Sequence, residues 1–173
     1  QRESLSRITN SNLTETHFIQ ATLPIKDGGL GLRRVATLAL PAFLSSSAST
    51  QTLQDVILAG CKPQSDECFL RYQDLWFSLY GTVPTYPVSS KQTSWDRPGI
   101  EASKSFVETN CTDLRQKAIV LAAKTRHSGD WLSALPITAC GLRLDDEAVR
   151  VAVANRLGLD ICVPHDCRCG DDH

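Results

Sequence analysis

Apolar residues recur at steps of three and four along most of this chain, and strict alternation is scarce, so the pattern predicts helices and little strand. The clearest stripe is Phe69, Tyr72, Trp76 and Leu79, with Ser65 and Asp66 preceding it and Gly81 to stop it. It reads as a core face rather than a base-stacking platform, because only Arg71 stands among the aromatics. Upstream, Val35, Leu38, Ala39, Ala42 and Phe43 predict a helix that Pro41 kinks or delays and the serine run at 45–49 ends or loosens. A short helix carrying Leu53, Val56 and Ile57 follows, capped by Thr50 or Thr52 and closed by Gly60. A helical region over 100–125 is expected to break at 110–113, where short polar side chains compete for backbone partners. Ser128 and Asp130 then lead into Trp131, Leu132 and Leu135, ending at Pro136. The last helix has Asp145 or Asp146 as its cap, Glu147 in its first turn, and Val149, Ala152 and Val153 inside. Arg156 lies near its end and Gly158 beyond.

These elements make the chain all-α, an irregular helical bundle with a short Cys/His-rich C-terminal tail. Residues 1–22 read as a polar, irregular N-terminal edge, 23–80 as one helical half, and 81–99, with Pro84, Pro87 and Pro98, as a linker or surface loop around Trp95. Residues 100–158 form the second helical half, and 159–173 a truncated Cys/His knuckle. Met is absent and the chain opens on Gln1, which predicts an excerpt of a longer polypeptide.

Composition narrows the class. Hydrophobic residues are 42% and charged residues 21% of the 173, as in a globular domain. No apolar run reaches membrane-spanning length and no secretory leader is evident, so no membrane partner is expected and an intracellular place, nucleus or cytoplasm, follows. The net charge of -1 argues against a nucleic-acid-binding surface over the whole chain. From Arg115 to Arg156, however, seven Lys/Arg stand against four Asp/Glu, which permits a modest basic face.

Cysteine usage points to metal or free thiols. The seven cysteines are odd in number, which disfavours a disulfide framework. Cys61, Cys68, Cys111 and Cys140 lie among helical patterns and read as small buried hydrophobes, whereas Cys162, Cys167 and Cys169 crowd the end with His165 and His173. Thiolate and imidazole together suit a structural Zn2+ site, with Gly170 after Cys169 as in a metal knuckle; surface thiols are the other reading. The spacing C-x4-C-x-C is not that of a standard finger. The glycines from Gly28 to Gly31 do not make a phosphate loop, since no G-K-[ST] follows, and read as a structural turn. The histidines at 17, 127, 165 and 173 form no HExxH and flank no glycine-framed serine, so no catalytic residue is assigned; a hydrolase built on His127 or His165 is the remote reading.

Four segments in order carry a resemblance: LPIKDGGLGLRRVATLALPAFLSSSA at 23–48, SWDRP at 94–98, RQKAIVLAAKTRHSGDWLSALP at 115–136 and LDDEAVRVAVANRLGLDICVPHDCRCG at 144–170. Together they resemble the region after the polymerase domain in non-LTR retrotransposon reverse transcriptases. The resemblance implies a parent RNA-directed DNA polymerase whose palm aspartates and Mg2+ lie upstream, outside this chain, which has no Y/F-x-D-D pair. Cys162, His165, Cys167, Cys169 and Gly170 match the family's C…PH-C-x-C-G pattern, but the later His and Cys do not follow; after Gly170 stand only Asp171, Asp172 and His173. It further implies a non-catalytic segment that extends the thumb and holds template RNA or target DNA for the polymerase domain of the same polypeptide. Arg115, Lys117, Lys124, Arg126, Arg150 and Arg156 would then be the phosphate contacts. The alternative is a decayed fragment serving only as a helical scaffold or protein-interaction module.

Overall fold

The computed structural model describes residues 1–59 and 66–161. Seven α-helices run through them: α1 Arg2–Thr9, α2 Glu15–Thr22, α3 Val35–Ile57, α4 Glu67–Tyr80, α5 Gln92–Asn110, α6 Leu114–Ala123 and α7 Asp146–Leu157. Short 3-10 turns lie at Ile25–Asp27, Val88–Ser90, Asp130–Ser133 and Thr138–Cys140. No strand occurs among the described residues, so the all-α, irregular helical architecture holds. The described residues divide into two compact units, one made of 1–32 with 103–161 and the other of 33–59 with 66–102.

In the first unit the core is Leu5, Leu13, Ala21, Val153, Ala154, Leu157 and Leu159, with Leu30, Leu32, Trp131 and Val149 packed against it. The 1–22 segment is therefore not an irregular edge. Most of its polar residues lie outward on α1 and α2, while Leu5, Leu13 and Phe18 are buried together with the polar Thr9 and Gln20. Thr14 caps α2, its hydroxyl accepting from the His17 amide at 3.3 Å while His17 Nδ1 accepts from the Thr14 amide at 3.4 Å. The tail of α5 and α6 are separated at Cys111–Asp113 as expected, with Asp113 capping α6 through the Gln116 amide at 3.1 Å. Asp145 caps α7 by accepting from the Ala148 amide at 2.7 Å, and Gly158 ends it in the left-handed region.

The second unit is built on two tryptophans. Trp76 and Trp95 meet edge to face, ring centroids 5.3 Å apart, with Leu44 completing the buried cluster. Both indoles are satisfied by carbonyls, Trp76 Nε1 donating to Thr82 at 3.1 Å and Trp95 Nε1 to Ser89 at 2.7 Å. Residues 81–99 are thus not a linker between halves. Their proline-rich first part folds over the tryptophans, and α5 begins at Gln92 and runs through Pro98. Asp96, also buried, receives Arg33 at 2.8 Å.

Helix α3 replaces the two helices expected over 35–60. Ser45, Ser49 and Thr50 turn their hydroxyls back onto carbonyls three or four residues earlier, at 3.2, 2.9 and 2.9 Å, so the serine run stays inside the helix. On α4 Asp66 caps the start and Gly81 stops the helix as read, but the inner stripe is rotated: Trp76 is buried with Phe69 and Tyr80 beside it, while Tyr72 and Leu79 lie exposed. Of the scattered cysteines Cys111 is buried, and burial raises its thiol pKa; Cys68 and Cys140 are exposed, and Cys61 lies outside the described residues.

Candidate nucleic-acid interface

Six cations from α6, the following loop and α7 were the expected phosphate contacts, and the structure gives them different work. Arg156 is buried at 7% exposure, and each of its nitrogens donates inward. Nε reaches the carbonyl of Gly29 at 3.0 Å, Nη1 that of Ser128 at 3.0 Å, and Nη2 those of Ile25 at 2.7 Å and Ala123 at 3.2 Å. This guanidinium ties the 25–29 turn, the end of α6 and the 124–129 loop to α7. It is not offered to a phosphate, which corrects its expected role. Burial pushes its pKa below the ordinary arginine value.

A buried amide, that of Gln20, extends the same seam. Gln20 donates from Nε2 to the Arg156 carbonyl at 3.2 Å, and Gln116 donates to Gln20 Oε1 at 3.4 Å and to the Leu157 carbonyl at 3.0 Å. Among the described residues no buried side-chain nitrogen or oxygen is left unpartnered, so the seam is complete. Gly29 permits the tight turn that brings the carbonyls to Arg156: a Cβ on it would stand 2.0 Å from the Leu23 carbonyl oxygen. The GGLG stretch is therefore a structural turn. Sequence reading missed Gln20, a single polar position between Ile19 and Ala21, and Gln116, which stands between Arg115 and Lys117 like one more solvated polar residue; neither gave a spacing signal.

The other cations are partly engaged. Lys124 pairs with Glu108 at 2.6 Å and is largely covered. Arg150 donates from Nε to Glu147 at 2.9 Å, one turn earlier on α7; this bond lowers the Glu147 pKa and raises that of Arg150. Arg115 reaches Asp160 at 3.4 Å, both side chains well exposed, a pair easily exchanged for another anion. Lys117 and Arg126 are exposed and have no ion-pair partner among the described residues.

Beside α7 lies a polar cleft of about 480 Å³, lined by Asn10, Ser11, Asn12, His17, Arg150, Asp160 and neighbours. Burial holds the His17 pKa below its ordinary value, against the opposing effects of the Gln116 amide and the Asp160 carboxylate. The Ser11 hydroxyl donates to the Asp160 carbonyl at 3.2 Å. The cleft thus offers polar lining without an activated nucleophile. His127 pairs with Asp130 at 2.8 Å on the surface, while the Ser128 hydroxyl donates to the Ala123 carbonyl at 2.7 Å, so the three do not form a relay.

The expected metal ligands Cys162, His165, Cys167, Cys169 and His173 lie outside the described residues. Among the described residues no group of three or more His, Cys, Asp or Glu could hold a metal ion. No described helix is long and apolar enough to cross a membrane.

Compared with protein-family models, with curated proteins and with solved structures, the chain finds no match. The labels reverse transcriptase, non-LTR retrotransposon and zinc protein, which the sequence suggested, are therefore corrected: the comparisons give them no support as an identity for this chain, and the described residues give none for zinc.

Proposed function

We propose that this chain is a non-catalytic helical accessory segment that supports a polymerase domain of the same polypeptide and helps to position template RNA or target DNA. The observation that carries the reading is the trio Arg115, Lys117 and Arg126, exposed cations within the span of α6 and the loop after it. They supply positive charge without the geometry for reading bases, which suits contacts that position a backbone. The sequence resemblance over 23–170 supplies the polymerase context. Arg150 and Lys124, held by neighbouring carboxylates, and Arg156, held by carbonyls, are left out of the contact set.

A second reading, a helical scaffold or protein-interaction module, is favoured by one observation: α3 and α4 expose Leu53, Ile57, Leu75 and Leu79. Titrating the 173-residue chain with structured RNA and with nicked duplex DNA over a range of salt separates the two, because phosphate contacts release counterions and weaken steeply as salt rises.

A further inference from the structure

Helix α2 opens with a capping box whose third position holds an imidazole, where Glu or Gln is the usual choice. His17 Nδ1 accepts from the Thr14 amide at 3.4 Å, and the Thr14 hydroxyl accepts from the His17 amide at 3.3 Å. The other side of the ring meets the Gln116 side chain on α6. Gln116 spends its amide hydrogens elsewhere, on Gln20 Oε1 at 3.4 Å and the Leu157 carbonyl at 3.0 Å, which leaves its oxygen to accept. His17 therefore donates from Nε2 and keeps Nδ1 as a bare acceptor. The neutral ring satisfies both partners in this one tautomer.

A second proton has no place in this arrangement. On Nδ1 it would face the Thr14 N–H, donor against donor, and the cap would be lost. A Gln side chain never titrates, whereas a free imidazole takes up a proton around pH 6.5. The charged groups near the ring do not spare the cap. Asp160 favours the proton, but its carboxylate is exposed and shared with Arg115 at 3.4 Å. Arg150, which lines the same cleft, is held by Glu147, and Glu15 in the first turn of α2 is held by Arg2 at 3.0 Å. Burial of the ring, which disfavours its charged form, is the larger effect. We propose that His17 is a pH-sensitive latch: the neutral ring closes the first turn of α2, and the protonated ring releases the Thr14 amide and opens that turn beside the cleft.

Nuclear magnetic resonance of the 173-residue chain, titrated from about pH 7.5 to 5, tests this. Ring nitrogen shifts should show the Nε2–H tautomer at the upper end, and the Thr14 amide resonance should move with the His17 ring. The hydrogen-exchange protection of the Phe18 amide, bonded to the Thr14 carbonyl at 3.1 Å, should fall at least about threefold across the range. Val149, bonded to the Asp145 carbonyl at 3.0 Å, should keep its protection, because a carboxylate caps that helix. His17→Gln, which preserves an acceptor without a titrating ring, should hold both the Thr14 resonance and the Phe18 protection constant. Should that variant lose helicity, the wild-type titration alone decides. An Nδ1–H tautomer at the upper end, a Thr14 amide indifferent to the ring, unchanged Phe18 protection, or the same fall in His17→Gln overturns the proposal. An equal fall at Val149 assigns the change to the whole fold and overturns it as well.

Discussion

Arg156 Nε donates to the carbonyl of Gly29 at 3.0 Å across 127 residues of sequence. This single bond marks where the two ends of the first unit are fastened: three further carbonyls, those of Ile25, Ala123 and Ser128, converge on the same guanidinium. A buried planar cation with its donors matched to fixed carbonyls is difficult to replace, since truncation leaves those carbonyls dry and unpaired.

Arg156→Ala should therefore destabilise the fold by about 3 kcal/mol, and Arg156→Lys should recover little, because one ammonium cannot reach carbonyls on three sides. Urea unfolding followed by helical circular dichroism measures both. A loss smaller than about 0.5 kcal/mol for the alanine variant, the size of an ordinary surface change, would refute the clasp.

The turn that feeds Arg156 makes a paired prediction. Gly29→Ala places a methyl 2.0 Å from the Leu23 carbonyl oxygen and should cost at least about 2 kcal/mol. Gly141→Ala meets only the strain of its φ of 69° in open space and should cost about 1 kcal/mol. Equal losses for the two would show that close approach is not what selects glycine at 29.

In the second unit, Trp95 is fully buried against Trp76 with its indole bonded to Ser89. Trp95→Ala should cost about 3–5 kcal/mol and abolish the near-ultraviolet dichroism of the tryptophan pair. Survival of that signal with unchanged unfolding would place Trp95 on a surface loop, as its proline-rich surroundings suggested.

The helical content, the break at 110–113 and the cap at Asp145 were legible because capping and helical spacing are local. What was not legible is long-range. Trp95 lies among prolines and looks like a loop residue until α4 brings Trp76 to it. Arg156 looks like any last-turn cation until the 25–29 turn, distant in sequence, presents its carbonyls. The 45–49 serines looked like a helix end because propensity does not reveal hydroxyls folding back onto the helix itself. For the candidate interface, charge type was readable and engagement was not. Lys124 is reached by Glu108 and largely covered, whereas Arg126, two residues on, is exposed.

The His17 ring gives a pH signature. Burial lowers its folded pKa below the ordinary 6.5, so the unfolded chain takes up a proton first as pH falls. The stability that His17 allows is full above 6.5 and declines as the pH drops toward the folded value. His17→Asn should flatten this part of the stability–pH curve, read as urea midpoints from pH 7.5 to 5. An unchanged slope in the variant would assign the decline to another group.

In the proposed function the exposed cations of α6 and its following loop hold a nucleic-acid backbone. The most direct measurement is the affinity of the 173-residue chain for structured RNA and for nicked duplex DNA against salt, with Lys117→Gln and Arg126→Gln together compared with Arg150→Gln. Binding at low salt that weakens as salt rises is expected, with the double variant reducing the log–log slope by about two on duplex DNA and Arg150→Gln changing it little. Binding insensitive to Lys117 and Arg126, or no binding at low salt by a folded chain, would contradict it and put the scaffold reading in its place.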